Sequence, residues 1–451
     1  MSDRLVVIGA NAGGMSAASV VRRRCSATEK EILVFELGHY TSYSGCGIPY
    51  YVSGLIPEVD DLVVRRPADF AKRDIQVHLA HEVVEIDTAA QVIKLRDLSQ
   101  GTENSVSFDQ LLIATGSRPV RPPIPGIDAE NVLGVHTLDD GHRLRRFAGK
   151  GAEVVVVGGG YIGLEMAEAY VEQGCHVTLI EAAEQPMGTL DPDMGARVAT
   201  ALERVGVQFH RNTSVEGFVL GQDGCVREVT TSAGSFPADV VVLGMGSRPN
   251  TRLARAAGIE VGETGGIVVD AHMQTCVPGI WAAGDCVQSV HRVTGRPIVI
   301  GLGTHANKQG RVAGINISGG DAVFSGVLGT AISRICSVEV ARTGLTEREA
   351  DKAGLSYTAL TTISRSRPEY FPGADEIVVK TVAEKPTGRL LGAQIVGCAG
   401  SGKRIDVFAT ALWNEMTVGE IAQMDLSYAP PFSPVWDPVA IAARRASERL
   451  S

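Results

Sequence analysis

The sequence predicts an α/β protein with two Rossmann-like domains and a third, α+β domain in its C-terminal part. Three observations carry that prediction. One βαβ half-unit occurs twice, each copy opening on a glycine-rich turn. The chain has 451 residues, too many for one core, and a prior of ~150 residues per domain gives about three. The last third has no glycine fingerprint and mixes strand patterns with helix.

The first unit opens on a short apolar strand at 5–8. Gly9-Ala10-Asn11-Ala12-Gly13-Gly14 follows, then a helical stretch over 15–24 and a strand over 32–35 that ends in Glu36. The order recurs as a strand at 154–157, Gly158-Gly159-Gly160-Tyr161-Ile162-Gly163, a helix over 164–172 and a strand over 177–180 ending in Glu181. Two such units imply two dinucleotides. In the second, Gly158 allows the tight turn, Gly160 lets a pyrophosphate approach bare backbone, and Gly163 lets helix and strand pack closely. The pyrophosphate then faces the positive end of the helix. Glu181 lies 23 residues after Gly158 (181 − 158), where a carboxylate can accept from a ribose 2′-hydroxyl and would repel a 2′-phosphate. Ala182 and Ala183 follow, with no Arg or Lys, so NADH is favoured over NADPH.

In the first unit Asn11 replaces the middle glycine. Asn tolerates left-handed backbone, so the turn is expected to survive. Alone, this unit reads as an ordinary βα turn with an acid at the strand end. Two further segments support a cofactor there: Ile113-Ala114-Thr115-Gly116-Ser117-Arg118-Pro119 and Gly279-Ile280-Trp281-Ala282-Ala283-Gly284-Asp285-Cys286. In each, a strand ends in a small-residue turn able to lie against a ligand. The third region begins near Gly326. It reads as strands over 377–382 and 389–396, then helix over 403–415, and closes with the proline-rich run 428–438. That run cannot be regular helix or central strand, so tertiary or intersubunit contacts must hold it.

Composition narrows the class. Hydrophobic residues make up 44% and charged residues 21%, an ordinary globular balance. A net charge of −9 argues against nucleic acid as a partner. No apolar run approaches the ~18 residues of a membrane span, and the start runs directly into a buried-strand pattern, so a cytoplasmic protein without membrane partner is expected. The eight cysteines show no C-x-x-C pair and no metal-ligand spacing, and no metal is expected. Seven read as small packed hydrophobes; Cys46 is the exception.

With these motifs in hand, the chain resembles the pyridine nucleotide–disulfide oxidoreductases through both glycine turns, the Ala114-Thr115-Gly116 and Gly284-Asp285 segments and the C-terminal third. The resemblance implies a glutathione-reductase-like fold. Its expected divisions are an FAD-binding domain over 1–115 and 246–325, an NAD(P)H-binding domain over 116–245, and a dimerisation domain over 326–451. FAD would meet Gly9, Asn11, Ala12, Gly13, Gly14, Thr115, Gly116, Arg118 and Gly284, with Glu36 on its ribose and Asp285 on its ribityl chain. NADH or NADPH would meet Gly158, Gly160, Tyr161, Ile162, Gly163, Glu181 and Gly246.

The family's best-known members carry C-x4-C beside the flavin. Here the second slot is Tyr51, so no internal disulfide can form. Ser42-Tyr43-Ser44-Gly45-Cys46-Gly47-Ile48-Pro49-Tyr50 is similar to the S-x-x-x-C-G-x-P-Y motif of the single-cysteine branch: coenzyme A-disulfide reductases, NADH oxidases and NADH peroxidases. The oxidases and peroxidases usually carry a His in the first glycine turn, where Ala12 stands. Tyr370 and Tyr428 match two tyrosines of the CoA-disulfide reductases, and Trp436 a residue near their substrate. Arg23, Ser42 and His305 resemble CoA-contacting positions. Gly45 and Ser366 depart from that subfamily, which has asparagines there. Without the resemblance, Tyr370 and Tyr428 read as packed interface aromatics, His305 as structural, and Arg23 as part of a solvated basic face.

The chemistry expected is reduction of CoA disulfide, or a related small disulfide, by a homodimer. Cys46 precedes a helical segment over 47–53 with Pro49 in its first turn, and a thiol at a helix N-terminus is expected to be acidified. It would pass through a mixed disulfide that leaves CoA bound at Cys46. Tyr428 of the partner subunit would be the acid for the departing thiolate, with Tyr370 assisting. Three alternatives stand. One is an oxidase or peroxidase with a Cys46 sulfenic acid. A second is a CoA-persulfide reductase, although such members often carry an appended rhodanese domain for which this chain has no room. The third is a redox-sensing or electron-transfer flavoprotein.

Overall fold

Residues 2–450 are described by the computed structural model. Strand Asp3–Ile8 is buried on both faces from Leu5 onward, as a central parallel strand must be. Lys30–Phe35 pairs on one side and Gln110–Ile113 on the other, both parallel. Ile75–His78 and Ile280–Ala282 complete the five-stranded sheet at its two edges. The chain therefore leaves this sheet, builds the second unit, and returns to it. In the second sheet Glu153–Val157 is central, flanked by His176–Ile180 and Val240–Leu243, with Gln208–His210 and Val132–Gly134 at the edges.

The doubling extends beyond the glycine turns. Each sheet carries a three-stranded antiparallel excursion, starting at His81–Asp87 in one half and Val215–Leu220 in the other. The two crossings between halves pair as the antiparallel ribbon Ser117–Pro119 with Ser247–Pro249. Helix Ala12–Arg24 packs on helix Gly303–Ile317 at close range. A Cβ at Gly310 would stand 2.1 Å from the Gly13 carbonyl oxygen, and one at Gly314 2.7 Å from that of Ala17, so only glycine permits this approach.

Both helices that follow the glycine turns start three residues earlier than their patterns predict, at Ala12 and Tyr161. The last glycine of each turn lies inside the first helical turn, where it faces the preceding strand. A Cβ at Gly14 would come 1.9 Å from the Gly9 oxygen, and one at Gly163 1.9 Å from the Gly158 oxygen.

The C-terminal domain is a five-stranded antiparallel sheet in the order Ala331–Ile335, Val338–Gly344, Leu390–Gly397, Glu376–Glu384, Tyr357–Arg365. Helices Ile405–Trp413 and Pro438–Leu450 pack against it. The strands before residue 376 are not anticipated by sequence, since polar residues such as Thr361, Ser364 and Arg365 dilute their apolar pattern. Neither is the last helix, which Pro438 opens and an alanine-rich face, Ala440, Ala442, Ala443 and Ala446, buries. Among the described residues, no helix is long and apolar enough to cross a membrane.

Candidate functional site

The two glycine turns are built on the same plan. Gly9 has φ +105° and Gly158 φ +101°, a region closed to most side chains. A Cβ at Gly9 would sit 2.2 Å from the Ala114 oxygen, and one at Gly158 2.6 Å from the Gly244 oxygen. Glu36 accepts from the Ala10 and Gly38 amides at 2.7 and 2.9 Å. Glu181 accepts from the Gly159 and Ala183 amides at 2.6 and 2.8 Å. Each oxygen keeps a further acceptor direction, so both carboxylates are fixed and still able to take a hydroxyl.

Asn11 requires a correction. Its φ of −116° and ψ of −150° are extended, not left-handed, and Gly160 at the matching place is likewise extended at φ −78°. The middle position therefore needs room rather than an unusual backbone. At Gly160 the nearest atom to an added Cβ is the Gly244 oxygen at 3.9 Å. An open cradle of this kind, at the end of a helix, fits a dinucleotide pyrophosphate. Ala12 is the first residue of its helix, and Gly13 abuts the Ala283-Gly284 turn. Tyr161 has a buried phenol, while Ile162 is exposed.

Asn250, which sequence reading missed, clamps the strand-end segments. It accepts from the Thr115 hydroxyl at 2.7 Å through its carbonyl and donates to the Thr115 and Ser117 carbonyls at 3.0 and 2.9 Å. Gly116, Gly246 and Gly284 all have positive φ. Arg118 is exposed opposite Arg248 on the connecting ribbon. Asp285 has only a 3.5 Å contact from Ser117, and burial pushes its carboxyl up, against His136 and that contact. A desolvated carboxylate with one weak partner fits a ligand polyol. Gln309, also missed, is buried and accepts from the Gly284 amide at 2.8 Å. His305 lies in the first turn of its helix with Nδ1 buried and without a hydrogen-bond partner. Burial, then Lys308, pulls it down to about 4, so it is neutral.

Cys46 lies in the 3₁₀ turn Gly45–Gly47, which runs into helix Ile48–Val52 with Pro49 in its first turn. The residue as a whole is exposed, but its thiol is crowded enough by protein to lose solvation. The expected acidification is not found: the thiol is pushed up, first by burial and then by the carboxylates of Glu165 and Asp285. Tyr51, in the place of a second cysteine, is buried, with its hydroxyl 3.1 Å from His142 Nδ1 and Arg145 over its ring. All eight cysteines are free, and Cys276 is exposed rather than packed. Ser42 is held at φ +49°, its amide on the Ala10 carbonyl, which ties this loop to the first glycine turn. Arg23 is exposed; its neighbour Arg22 instead donates to the carbonyls of Cys25, Lys30 and Asp74.

Tyr370 and Tyr428 come together. Tyr370 is raised by slight desolvation and by its hydrogen bond with Tyr428, and both rings are exposed along with Phe432, Val435 and Trp436. Arg444 stacks 5.0 Å from the Trp436 ring centre. The proline-rich run is pinned by Arg404, which pairs with Asp437 at 2.9 Å and donates to the Phe432 and Ser366 carbonyls. Arg404 has no sequence signature, because its partners lie about 30 residues away on either side.

Family models described as pyridine nucleotide-disulphide oxidoreductase and its dimerisation domain match residues 3–310 and 330–439. An NAD(P)H sulfur oxidoreductase (CoA-dependent) of Pyrococcus abyssi is 41% identical over 445 residues, covering 98% of this chain and 97% of the relative. An NAD(P)H coenzyme A polysulfide/persulfide reductase of Pyrococcus horikoshii is 40% identical over 449 residues, 98% of each. The solved structure of an NAD-dependent persulfide reductase from A. fulgidus superposes with a TM-score of 0.94 at 41% identity, over 99% of this chain and 83% of that one.

Proposed function

The chain belongs to the pyridine nucleotide-disulphide oxidoreductase family, and from that premise we propose that it reduces a sulfur species carried on coenzyme A, a CoA persulfide or polysulfide, through Cys46. It is an FAD- and NAD(P)H-dependent oxidoreductase. The finer reading departs from the sequence expectation, which put CoA disulfide first. What carries it is the pair of relatives near 40% identity over nearly their whole length, one named for CoA-dependent sulfur reduction and one for CoA persulfide. That such members often carry an appended domain does not weigh against this reading, because the Pyrococcus horikoshii relative is matched over 98% of its length.

Bound FAD and NAD(P)H supply two electrons. The chain's own part centres on sulfur. Cys46 as thiolate attacks the CoA-bound sulfur of CoA–S–SH, forming a Cys46–S–S–CoA bond and releasing hydrosulfide. Two electrons and one proton then cleave that bond, restoring the Cys46 thiolate and releasing CoA thiol. With no second thiol beside it and Tyr51 packed on His142, Cys46 cannot close an internal disulfide. Tyr428 of the partner subunit, backed by Tyr370, is the candidate acid for the departing thiolate, since a phenol can donate the proton that a thiolate leaving group takes. Glu36 and Asp285 would hold FAD, and Glu181 the nicotinamide cofactor, with NADH favoured. Arg23, Ser42, His305 and Trp436 are the candidate CoA contacts.

The test is anaerobic NADH and NADPH oxidation with CoA persulfide, CoA disulfide and peroxide. CoA persulfide is expected to turn over fastest, with hydrosulfide as product. Cys46→Ser should abolish the reaction, and Tyr428→Phe should slow it roughly 100-fold. Turnover with peroxide but neither CoA substrate would defeat the proposal; CoA disulfide as the faster substrate would restore the runner-up.

A further inference from the structure

The nicotinamide-dinucleotide turn is not held by its own domain alone. The Met187 amide donates to the Gly159 carbonyl at 2.7 Å, so the loop over 186–191 forms a wall against that turn. A Cβ at Gly159 would stand 3.2 Å from both Pro186 and the Glu181 carboxylate, which measures how tightly wall, turn and ribose acid are packed. Met187 is buried and held at φ +56°, a conformation that needs surrounding structure to impose it.

What imposes it comes from the C-terminal domain. Arg342 donates to the Thr189 carbonyl at 2.6 Å, while its other nitrogen donates to the Gly344 carbonyl at 2.5 Å and pairs with Glu349 at 2.6 Å. Arg348 donates to the Gly188 carbonyl at 2.8 Å. Asp191 exchanges two hydrogen bonds with Gln394, amide to Oε1 at 2.7 Å and Nε2 to Oδ2 at 2.6 Å. It also accepts from the Glu347 amide at 3.1 Å and lies 3.4 Å from Lys380 Nζ. Arg342, Lys380, Asp191 and Gln394 are all buried. Three stations of the wall, 188, 189 and 191, thus hang on groups at least 150 residues downstream.

We infer that Arg342, seconded by Arg348, is a positioning residue for nicotinamide-dinucleotide binding: it fixes the 186–191 wall against the Gly158–Gly163 turn, so the C-terminal domain sets how well the dinucleotide is held. This rests on the reading that the second glycine turn is the nicotinamide site. A guanidinium bridging Thr189, Gly344 and Glu349 is suited to the task, because its planar fork fixes three acceptors at once. Methionine at 342 would keep much of the buried stem but leave the Thr189 carbonyl without its donor.

The test uses the FAD-loaded full chain and non-reducing NAD⁺. Arg342→Met should raise the NAD⁺ dissociation constant roughly tenfold by titration calorimetry. The KM for NADH should rise in step, with kcat at saturating NADH within twofold and FAD content unchanged. Amide hydrogen exchange over 187–190 should accelerate even without nucleotide, a readout independent of turnover. Arg348→Ala, at a more exposed position, should change the same quantities in the same direction by less. Should Arg342→Met fail to fold, Arg348→Ala with unaltered NAD⁺ affinity overturns the inference. A folded Arg342→Met with wild-type NAD⁺ affinity also overturns it. Glu181→Ala separates the two levels: if it alters NAD⁺ affinity while Arg342→Met does not, only the clamp is wrong; if neither matters, the assignment of the site is wrong.

Discussion

Cys46 sits where local backbone and distant charge pull its thiol in opposite directions. The helix behind it has five residues, too short to build much dipole, and burial favours the neutral thiol. Glu165 and Asp285 add negative potential. The sequence motif singles out this sulfur, because glycine, proline and the missing second cysteine are all local signals. It could not report the charge around it, since Glu165 lies on another domain's helix, where Ser333 of the third domain donates to it at 2.6 Å. Burial raises the Glu165 carboxyl, and Glu168 adds to the effect against the Ser333 hydrogen bond. Removing its charge should stabilise the Cys46 thiolate, so the thiol of Glu165→Gln titrates lower than in the wild type. Measured as the pH dependence of iodoacetamide alkylation at Cys46, the curve should shift to lower pH. An unmoved curve would mean that burial and Asp285 alone raise the thiol.

At the scale of the element, the second glycine turn divides its three fingerprint glycines between two physical demands. Gly158 and Gly163 are required by the protein itself: one by its φ of +101°, the other because a Cβ would stand 1.9 Å from the Gly158 oxygen. Gly160 meets no such demand, with φ −78° and 3.9 Å of clearance. Two alanine substitutions should therefore separate stability from binding. Gly163→Ala must force helix Tyr161–Glu172 off strand Glu153–Val157, costing about 1–3 kcal/mol in urea unfolding. Gly160→Ala should unfold at the wild-type midpoint and lose NAD⁺ affinity, because the methyl enters the space that a pyrophosphate would take. Equal destabilisation by both would show that the cradle is structural. Because the fold itself makes no demand for glycine at the middle position, it accepts the extended Asn11 in the first turn. The spacing of the second turn's glycines, with the tight turn at Gly158 and the close packing at Gly163, was legible in sequence.

At the scale of the molecule, the second and third domains are locked by a cluster of ion pairs around the buried Lys380, whose members Asp191 and Asp193 lie far from it in the chain. Lys380 Nζ lies 2.5 Å from Glu347, 2.7 Å from Asp193 and 3.4 Å from Asp191. Beside this cluster Arg342 holds Glu349. None of these residues stood out in sequence, because a Lys or Glu on an alternating strand or helix face looks the same whether it meets water or another domain. The glycine repeat, by contrast, announced both nucleotide sheets. The locks should make the fold acid-sensitive in a definable way. Burial alone would raise the Glu349 carboxyl, but the Arg342 hydrogen bond and charge, with the Thr346 cap, hold it below its ordinary value. A carboxyl depressed in the folded state stabilises above its unfolded pKa of ~4.3, and that stabilisation disappears as pH falls through the folded value. The melting temperature should therefore drop as pH is lowered from about 6 towards 3, and Glu349→Gln, already less stable at pH 6, should lose less over the same interval. Removing the pair's negative partner leaves Arg342 buried with fewer acceptors, so the loss at pH 6 should be clear, on the order of 3 kcal/mol. Parallel acid limbs for the two proteins would place the sensitivity elsewhere, with Asp193 on Lys380 the next group to test.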